Sequence, residues 1–399
     1  MNGRMYGLGS KRSVIRELFE FGKVRAAEIG AENVYDFSLG NPSVAPPRIV
    51  ADTARELLES GDQTALHGYT SAQGDPGVRK AIADYIARAY SFPADPDLIY
   101  MTCGAAASLT ITLCALCDPG DEVITFRPYF TEYKVFAETA GAELVALASD
   151  PDTFQIDFSL LEKSIGPKTR AVLVNSPNNP SGVVYSGETI ARLAVLLAEK
   201  SAAYGKTVYL ITDEPYRELV YGGVAVPYIP RYYRNTVVCY SYSKSLSLPG
   251  ERIGYISVSP GADEAQRLYL AVCGAGRALG YVCAPSLFQR IVARCQGVTS
   301  DVSVYRENRD TLLQALTADG FSCVKPDGAF YLFMKSPEAD ANAFCEAAKR
   351  HNLLLVPGDD FGCGGYVRIA YCVSPDMIER SLPAFAALAA EYGLPGRGE

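Results

Sequence analysis

The sequence predicts an α/β protein in which a mostly parallel sheet is flanked by helices, together with a smaller α+β domain. From about residue 50 to residue 260, short runs rich in Val and Ile alternate with segments of helical periodicity. These runs are apolar on both faces, as is typical of strands in a parallel sheet that is covered on both sides. After about residue 285 the pattern changes to a long helical stretch followed by shorter strands, which indicates a second unit.

The elements follow in order along the chain. An amphipathic helix is predicted over residues 11–30, with Val14, Leu18 and Phe21 on one side. Residues 38–47 contain too many Pro and Gly residues for regular structure. One of the helices between the strands is predicted over residues 189–203. The strands expected in the large sheet are 98–102, 122–126, 144–147, 171–175, 208–212, 237–241 and 253–258.

The second unit is predicted to contain a long helix over residues 290–316 and strands over 330–334 and 366–370. We therefore expect residues 46–285 to form the large domain. Residues 1–45 and 286–399 are expected to form an N-terminal arm and the small domain.

Composition excludes several classes of function. The chain has 399 residues, with 37 Lys and Arg against 45 Asp and Glu, so the net charge of −8 argues against nucleic-acid binding. The longest apolar stretch, over residues 105–117, is shorter than the ~20 residues that span a bilayer. No apolar signal core follows the N-terminus, so we expect a cytoplasmic protein without a membrane partner. Because His67 and His351 are the only histidines, no metal site is expected.

Three polar segments follow predicted strands and carry the candidate chemistry. Segment 241–254 reads SYSKSLSLPGERIG and places Lys244 just after a strand. Segment 175–182 reads NSPNNPSG, and segment 213–216 reads DEPY. A lysine at a sheet edge is usually only solvated, but the carboxyl ends of parallel strands meet where open α/β sheets bind their ligands. The three segments therefore predict one site.

The residue types at this site meet the demands of pyridoxal 5'-phosphate, which needs a lysine for a Schiff base and an acid beside its ring nitrogen. Lys244 can supply the amine and Asp213 the carboxylate. Asn179 and Tyr216 can donate to the phenolate oxygen. Hydroxyls, a guanidinium and backbone N–H groups at a helix start can hold the phosphate; they belong to Ser241, Ser243, Arg252, Gly104, Ala105 and Ala106.

With these motifs in this order, the sequence resembles the class I/II aminotransferases, a fold type I family of pyridoxal-phosphate enzymes that includes aspartate aminotransferase. The likeness covers nearly the whole chain. It is carried by NNPSG at 178–182, by DEPY, and by SYSK at 241–244 with Arg252 eight residues after the lysine. Further matches are LGNP at 39–42, Tyr69, PYF at 128–130, GAFY at 328–331, and VPG at 356–358 leading to Arg368.

The resemblance implies an aminotransferase that moves an amino group between an L-amino acid and a 2-oxo acid by a ping-pong mechanism. Lys244 would form the internal aldimine and shuttle the proton, while Asp213 would pair with the ring nitrogen. Tyr216 would contact the phenolate oxygen together with Asn179. The two faces of the ring would be covered by Phe130 and Pro215.

The resemblance also implies how substrate and subunits meet. Arg368 would bind the substrate α-carboxylate, helped by Asn179 and the backbone of Gly40. Tyr69 would reach the cofactor phosphate of the neighbouring subunit, so the expected assembly is a homodimer with composite active sites.

The chain departs from animal-type relatives at one specificity position. In those relatives an arginine of the partner subunit binds the side-chain carboxylate of the substrate, and the matching position here is Leu279. Arg277 lies two residues earlier and is the alternative candidate for binding a side-chain carboxylate. We therefore expect a neutral amino acid to be a better donor than aspartate.

Two alternatives stay open at this point. A C–S lyase, another eliminase, a racemase or a decarboxylase would share the cofactor and the lysine. Residues 241–244 also match the S-x-x-K signature of serine acyl hydrolases, although the companion motifs of those enzymes are missing from the sequence.

Overall fold

A computed structural model describes residues 1–10, 14–60 and 62–396 of the chain. The α-helices are Gly3–Ser10 (α1), Val14–Ile29 (α2), Arg48–Ser60 (α3), Gln63–His67 (α4), Pro76–Tyr90 (α5), Ala105–Leu116 (α6), Glu132–Thr139 (α7), Phe158–Ser164 (α8), Gly187–Tyr204 (α9), Tyr242–Ser245 (α10), Ala265–Ala278 (α11), Ser286–Arg294 (α12), Ser303–Ala318 (α13), Ala341–Arg350 (α14) and Pro375–Glu391 (α15). The β-strands are Tyr35–Asp36 (β1), Ile99–Thr102 (β2), Glu122–Phe126 (β3), Glu143–Leu147 (β4), Thr169–Asn175 (β5), Tyr209–Asp213 (β6), Thr236–Ser241 (β7), Gly254–Val258 (β8), Cys323–Val324 (β9), Tyr331–Lys335 (β10), Leu353–Leu354 (β11), Val356–Pro357 (β12) and Tyr366–Ala370 (β13). Short 3-10 helices occur at Ala31–Asn33, Pro96–Leu98, Ile229–Arg231 and Gly358–Phe361.

The large sheet has seven strands in the order β2-β8-β7-β6-β5-β3-β4. Every neighbouring pair is parallel except the two that involve β8, which runs antiparallel to β2 and to β7. All seven predicted strands are present, and their boundaries differ from the predicted ones by two residues or fewer. The prediction of a mostly parallel sheet is confirmed.

Helices cover both faces of this sheet. Successive residues of β5 point to opposite faces. Leu173 packs in one apolar cluster with Leu109 of α6 and Val272 of α11. Val172 and Val174 pack in a second cluster with residues of α9. Because both faces are buried, the strand is apolar at consecutive positions, which is the pattern that identified it in the sequence.

A second sheet has four antiparallel strands in the order β12-β13-β10-β9. Leu332 of β10 is buried in one cluster with Leu312 of α13, Phe344 of α14 and Phe385 of α15. The strands predicted over 330–334 and 366–370 correspond to β10 and β13. The short parallel pair of β1 and β11 brings the N-terminal segment beside this sheet, and residues 37–47 then continue without regular structure.

The prediction of one long helix over residues 290–316 is wrong. The structure has two helices there, α12 and α13, separated by residues 295–302. Gly297 lies in the break with a φ of +79°, a conformation that side-chain-bearing residues rarely adopt and that interrupts a helix. The carboxylate of Asp301 then accepts a hydrogen bond from the backbone N–H of Ser303 at 3.0 Å, where α13 begins. These turn residues outweigh the apolar periodicity that favoured a single helix.

Two other helix predictions agree with the structure apart from their ends. Helix α2 begins at Val14, and residues 11–13 of the predicted helix lie outside the described residues. The helix predicted over residues 189–203 corresponds to α9. Within the part of the chain that the structure describes, no helix combines the length and the apolar character needed to cross a membrane.

Candidate active site

A cavity of about 290 Å³ lies where β5, β6 and β7 end, and the second sheet contributes to its wall. Its lining contains most of the residues that the sequence predicted: Gly40, Ala105, Ala106, Phe130, Asn179, Asp213, Pro215, Tyr216, Ser241, Ser243, Lys244, Arg252 and Arg368. The predicted Gly104 is adjacent to this lining, because a Cβ built on it would lie 2.7 Å from Nη2 of Arg252. The structure therefore brings the three polar segments together.

Asp213 ends β6 and has two differently placed carboxylate oxygens. Oδ2 accepts a hydrogen bond from the hydroxyl of Tyr133 at 2.6 Å. Oδ1 is buried without a hydrogen-bond partner among the described residues. Burial raises the pKa of Asp213 to about 7, although the Tyr133 hydrogen bond acts in the opposite direction. An unpaired buried acceptor is costly, so Oδ1 suits a donor from a bound molecule.

Lys244 lies in the four-residue helix α10, which begins directly after β7. The hydroxyl of Ser241 caps this helix by accepting a hydrogen bond from the backbone N–H of Ser243 at 3.2 Å. The Lys244 amine donates to the carbonyl oxygen of Gly40 at 2.7 Å. Burial lowers the pKa of Lys244 to about 8, so a substantial fraction of the amine is neutral near physiological pH.

One wall of the cavity is suited to an anion. Helix α6, which is twelve residues long, begins there with Gly104 as its N-cap at a φ of +87°. The guanidinium of Arg252 lies so close to Gly104 that a side chain at that position would collide with it. Ser241 and Ser243 add hydroxyls whose oxygens are 2.7 Å apart. Backbone N–H groups at a helix start, hydroxyls and a guanidinium together form a typical phosphate site.

A second guanidinium enters the cavity from β13. Nη1 of Arg368 donates to Oδ1 of Asn179 at 3.3 Å, and Nη2 donates to the backbone oxygen of Ser38 at 2.5 Å. The guanidinium also lies over the rings of Tyr331 and Phe361, at 4.7 and 4.9 Å from their centroids. Arg368 forms no ion pair with a carboxylate among the residues that the structure describes, so this buried cation suits a carboxylate of a bound molecule.

The remaining predicted residues lie between these charged groups. Tyr216 is buried, and its hydroxyl lies 3.1 Å from the hydroxyl of Tyr331. Phe130 and Pro215 supply apolar surface to the lining. The cavity thus combines an amine, a carboxylate, an anion site and a second cation around an apolar slot, which is the donor set that pyridoxal 5'-phosphate and an amino acid require.

Three residues considered in the sequence analysis lie outside the lining. Tyr69 is 89% exposed on the surface of the chain. Arg277 is exposed on α11 beside a separate groove. Leu279 is partly buried against the apolar cluster of the large sheet.

The comparisons with known proteins agree with this site. Residues 32–385 match the family model of aminotransferase class I and II. The chain belongs to this family. It is 31% identical over 354 residues to the aspartate/prephenate aminotransferase of Thermus thermophilus. The aligned region covers 87% of this chain and 89% of the relative.

Solved aminotransferase structures superpose on nearly the whole chain. An aminotransferase from Eubacterium rectale is 57% identical with a TM-score of 0.97, covering 98% of this chain and 99% of that chain. The Thermus thermophilus aspartate aminotransferase with maleate is 27% identical with a TM-score of 0.84, covering 95% and 97%. The present aminotransferase therefore has fold type I, as the sequence predicted, and it is a transaminase.

The serine acyl-hydrolase alternative is wrong for this aminotransferase. That alternative needs Ser241 at the start of a helix, and Ser241, which ends β7, does cap α10. A Ser–Lys hydrolase needs the amine beside the serine hydroxyl. Here the Ser241 hydroxyl pairs with Ser243, and the Lys244 amine binds the carbonyl of Gly40.

Sequence reasoning gave no role to several residues of the aminotransferase site, and the cavity lining also includes Leu109 and Pro249. Tyr331 stands in the GAFY motif, and Asn175 opens segment 175–182, yet neither received a role. Oδ1 of Asn175 accepts a hydrogen bond from the backbone N–H of Asn179 at 2.7 Å. Ile15 reaches the cavity from α2, and Tyr133 lies three residues after Phe130. The two motifs were a usable signal for Tyr331 and Asn175, whereas no local pattern marked Ile15 or Tyr133.

We expect Gly40→Ala to lower kcat/KM of the aminotransferase at least about tenfold, because overpacking displaces the surrounding groups. The added methyl group would overlap the hydroxyl of Tyr331, and the Gly40 carbonyl also holds the Lys244 amine. Steady-state kinetics would be compared with Gly166→Ala, since a Cβ at Gly166 meets nothing within 4 Å. Wild-type kinetics in Gly40→Ala would contradict the close contact.

Proposed function

We propose that the aminotransferase binds pyridoxal 5'-phosphate in this cavity and moves an amino group between an L-amino acid and a 2-oxo acid. The two substrates would use one site in turn, in a ping-pong sequence. The observation that carries the proposal is the meeting of the Lys244 amine, the unpartnered Oδ1 of Asp213, and the guanidinium groups of Arg252 and Arg368 in one cavity. When bound, the cofactor supplies an aldehyde that links to amines and a ring that accepts electrons from the attached carbon.

The cofactor would be held from several sides. Arg252, Ser241, Ser243 and the start of α6 at Gly104, Ala105 and Ala106 would bind its phosphate. Asp213 would accept a hydrogen bond from its protonated ring nitrogen, because Oδ1 otherwise stays buried and unpaired. Asn179 and Tyr216 would donate to its phenolate oxygen. Phe130 and Pro215 would cover the two faces of the ring.

Lys244 has two tasks in this proposal. Its partly neutral amine is a nucleophile that can link to the cofactor aldehyde, since burial lowers its pKa to about 8. Nζ of Lys244 would also act as the base that removes the proton from the substrate Cα. General base catalysis works best when the pKa of the base lies close to the working pH.

Arg368 would bind the α-carboxylate of the substrate, with Asn179 and the Gly40 segment beside it. The aromatic rings around Arg368 exclude water from the guanidinium. An ion pair that forms in such a desolvated place is strong and directional. All amino acids carry this carboxylate, so Arg368 would orient the substrate without selecting its side chain.

The proposal also assigns the two sides of the cavity to two domains. Residues 46–285 would form the large domain, which carries Asp213 and Lys244. Residues 1–45 and 286–399 would form the arm and the small domain, which carry Gly40 and Arg368. The substrate would thus lie between the two domains.

We also propose a homodimer in which Tyr69 reaches the cofactor phosphate of the neighbouring subunit. Tyr69, Leu270 and Val282 are 89%, 66% and 65% exposed in the single chain. These exposed side chains offer apolar surface that a second subunit would bury.

Mixing two variants tests the composite site. A hybrid of Tyr69→Phe and Lys244→Ala subunits has one site with both native residues, so activity at limiting cofactor should rise above that of Tyr69→Phe alone. The matched control mixes Tyr69→Phe with the double variant Tyr69→Phe/Lys244→Ala, which cannot supply a native Tyr69. If hybrids form and both mixtures behave alike, Tyr69 does not serve the neighbouring site.

The experiment that tests the proposed function is a half-reaction screen. Each amino acid is added to the cofactor-loaded enzyme without any acceptor, and the visible absorption is followed together with the 2-oxo acid released. A transaminase gives one equivalent of 2-oxo acid per site and then stops. Continuous release of ammonia would identify an eliminase and overturn the proposal. The screen should include aspartate beside neutral donors, because Leu279 favours the neutral ones.

A further inference from the structure

Tyr133 contacts the site from behind, although it does not line the cavity. It lies in α7 and is 1% exposed. Its ring meets the ring of Phe130 edge to face, with centroids 5.7 Å apart. Its hydroxyl donates the 2.6 Å hydrogen bond to Oδ2 of Asp213. No other role in the proposed function uses this buried hydroxyl.

The two oxygens of Asp213 are therefore not equivalent. Tyr133 holds Oδ2, whereas Oδ1 is the atom without a partner among the described residues. A hydrogen bond to an ionised carboxylate is stronger than one to a neutral carboxyl group. The Tyr133 hydroxyl thus fixes the rotation of the carboxylate and also favours its charged form. The backbone oxygen of Asp213 is fixed separately by the side-chain amide of Asn175 at 2.8 Å.

We propose that Tyr133 is a positioning residue for the cofactor. It orients Asp213 so that Oδ1 can accept a hydrogen bond from the protonated ring nitrogen, and it keeps that carboxylate ionised. This inference rests on the proposed function. Burial acts against the charge on Asp213, so without the Tyr133 donor the carboxylate would hold a proton more readily. Asp213 would then take the proton from the ring nitrogen, or it would draw that shared proton closer to its own oxygen. In both cases less positive charge remains at the ring.

The other titratable groups that face Asp213 leave this assignment intact. They are Glu214 beside it in the chain, Tyr216 three residues on, and Cys239 of β7. Burial raises the pKa values of Tyr133, Tyr216 and Cys239, so all three stay protonated between pH 5 and 9. Glu214 is engaged by Arg217 and by the hydroxyl of Thr212. Asp213 is therefore the group whose charge Tyr133 controls.

The test is an absorption titration of the cofactor-loaded enzyme between pH 5 and 10. The pH midpoint of the spectral change reports how much positive charge the ring carries. In Tyr133→Phe the midpoint should rise by about one pH unit, and the dissociation constant of the cofactor should increase severalfold. Tyr185→Phe is the matched control, because Tyr185 is also buried but its pKa is raised by burial alone.

A double-mutant cycle separates positioning from general damage. Asp213→Asn should raise the midpoint by itself, and adding Tyr133→Phe to it should produce no further shift. An unchanged midpoint in Tyr133→Phe, with Asp213→Asn shifted, would overturn this inference and leave the proposed function standing. A further shift in the double variant would also overturn it. Failure of the wild-type enzyme to bind the cofactor would overturn both.

Discussion

Replacement of Lys244 with alanine is expected to lower turnover by at least about 10²–10⁴-fold while leaving the protein folded. The amine is the group proposed both to bind the cofactor covalently and to move the substrate proton, so one substitution removes both functions. In steady-state assays kcat should fall far more than cofactor affinity. The arginine, the hydroxyls and the start of α6 that face the phosphate are untouched by the change.

The fold should tolerate this substitution for local reasons. Ser241 caps α10 through its own side chain, and alanine is a strong helix former. The Lys244 amine makes its hydrogen bond to one backbone carbonyl, that of Gly40. Removing an amine whose pKa is already lowered by burial also removes a desolvation cost. Thermal unfolding of the variant should therefore stay close to that of the wild type.

A chemical experiment identifies the lysine directly. Borohydride reduction of the loaded wild-type enzyme should fix the cofactor on the peptide that contains Lys244, and mass spectrometry would locate it. Lys168→Ala, which changes an exposed lysine outside the cavity lining, should be labelled like the wild type. Labelling at a different lysine would refute the assignment.

The large sheet could be predicted because burial on both faces leaves a local signature. Strands such as β5 are apolar at consecutive positions, and each is followed by turn or polar residues. The position of the site followed from the same logic, since the carboxyl ends of parallel strands share one edge. Asn179 and Lys244 stand shortly after such a strand and Asp213 ends one, so topology alone brought them together.

The contacts behind the site could not be predicted in this way. Tyr133 and Asp213 are eighty positions apart, and only the packing of α7 on the sheet places the hydroxyl beside the carboxylate. Ile15 reaches the cavity because the pairing of β1 with β11 fixes where the N-terminal segment runs. Such contacts depend on tertiary structure and leave no periodicity in the sequence.

The incorrect prediction of one helix over residues 290–316 shows a different limit of apolar periodicity. Apolar periodicity measures which face of a segment is buried, and α12 and α13 both bury one face. It does not detect a break between two such helices. Gly297 and Asp301 were the local signals for that break, and turn residues deserve more weight when a predicted helix exceeds about 25 residues.

The second large effect is expected for Asp213→Asn. The variant should still bind the cofactor through the phosphate contacts, yet kcat should fall by roughly 10²–10⁴-fold. An amide keeps the shape of the carboxylate and can still accept from Tyr133, but it brings no negative charge to the ring nitrogen. Without that charge the ring holds its proton less well and accepts electrons poorly. Single-turnover rates with an amino donor would measure the loss.

The pH dependence of stability provides an independent check on Asp213. Burial raises the pKa of this carboxyl from 3.8 to about 7 in the folded cofactor-free enzyme. The stabilisation from the protonated form is therefore complete below about pH 4 and is lost as the pH rises through 7. Between pH 5 and 8 the wild-type enzyme should lose on the order of 2 kcal/mol of unfolding free energy that Asp213→Asn does not lose. If the wild type and Asp213→Asn show equal dependence of unfolding free energy on pH, and the variant keeps native half-reaction rates, then a different group protonates the ring. If the two dependences differ and the variant is slow, the charge on this one carboxylate governs both stability and catalysis.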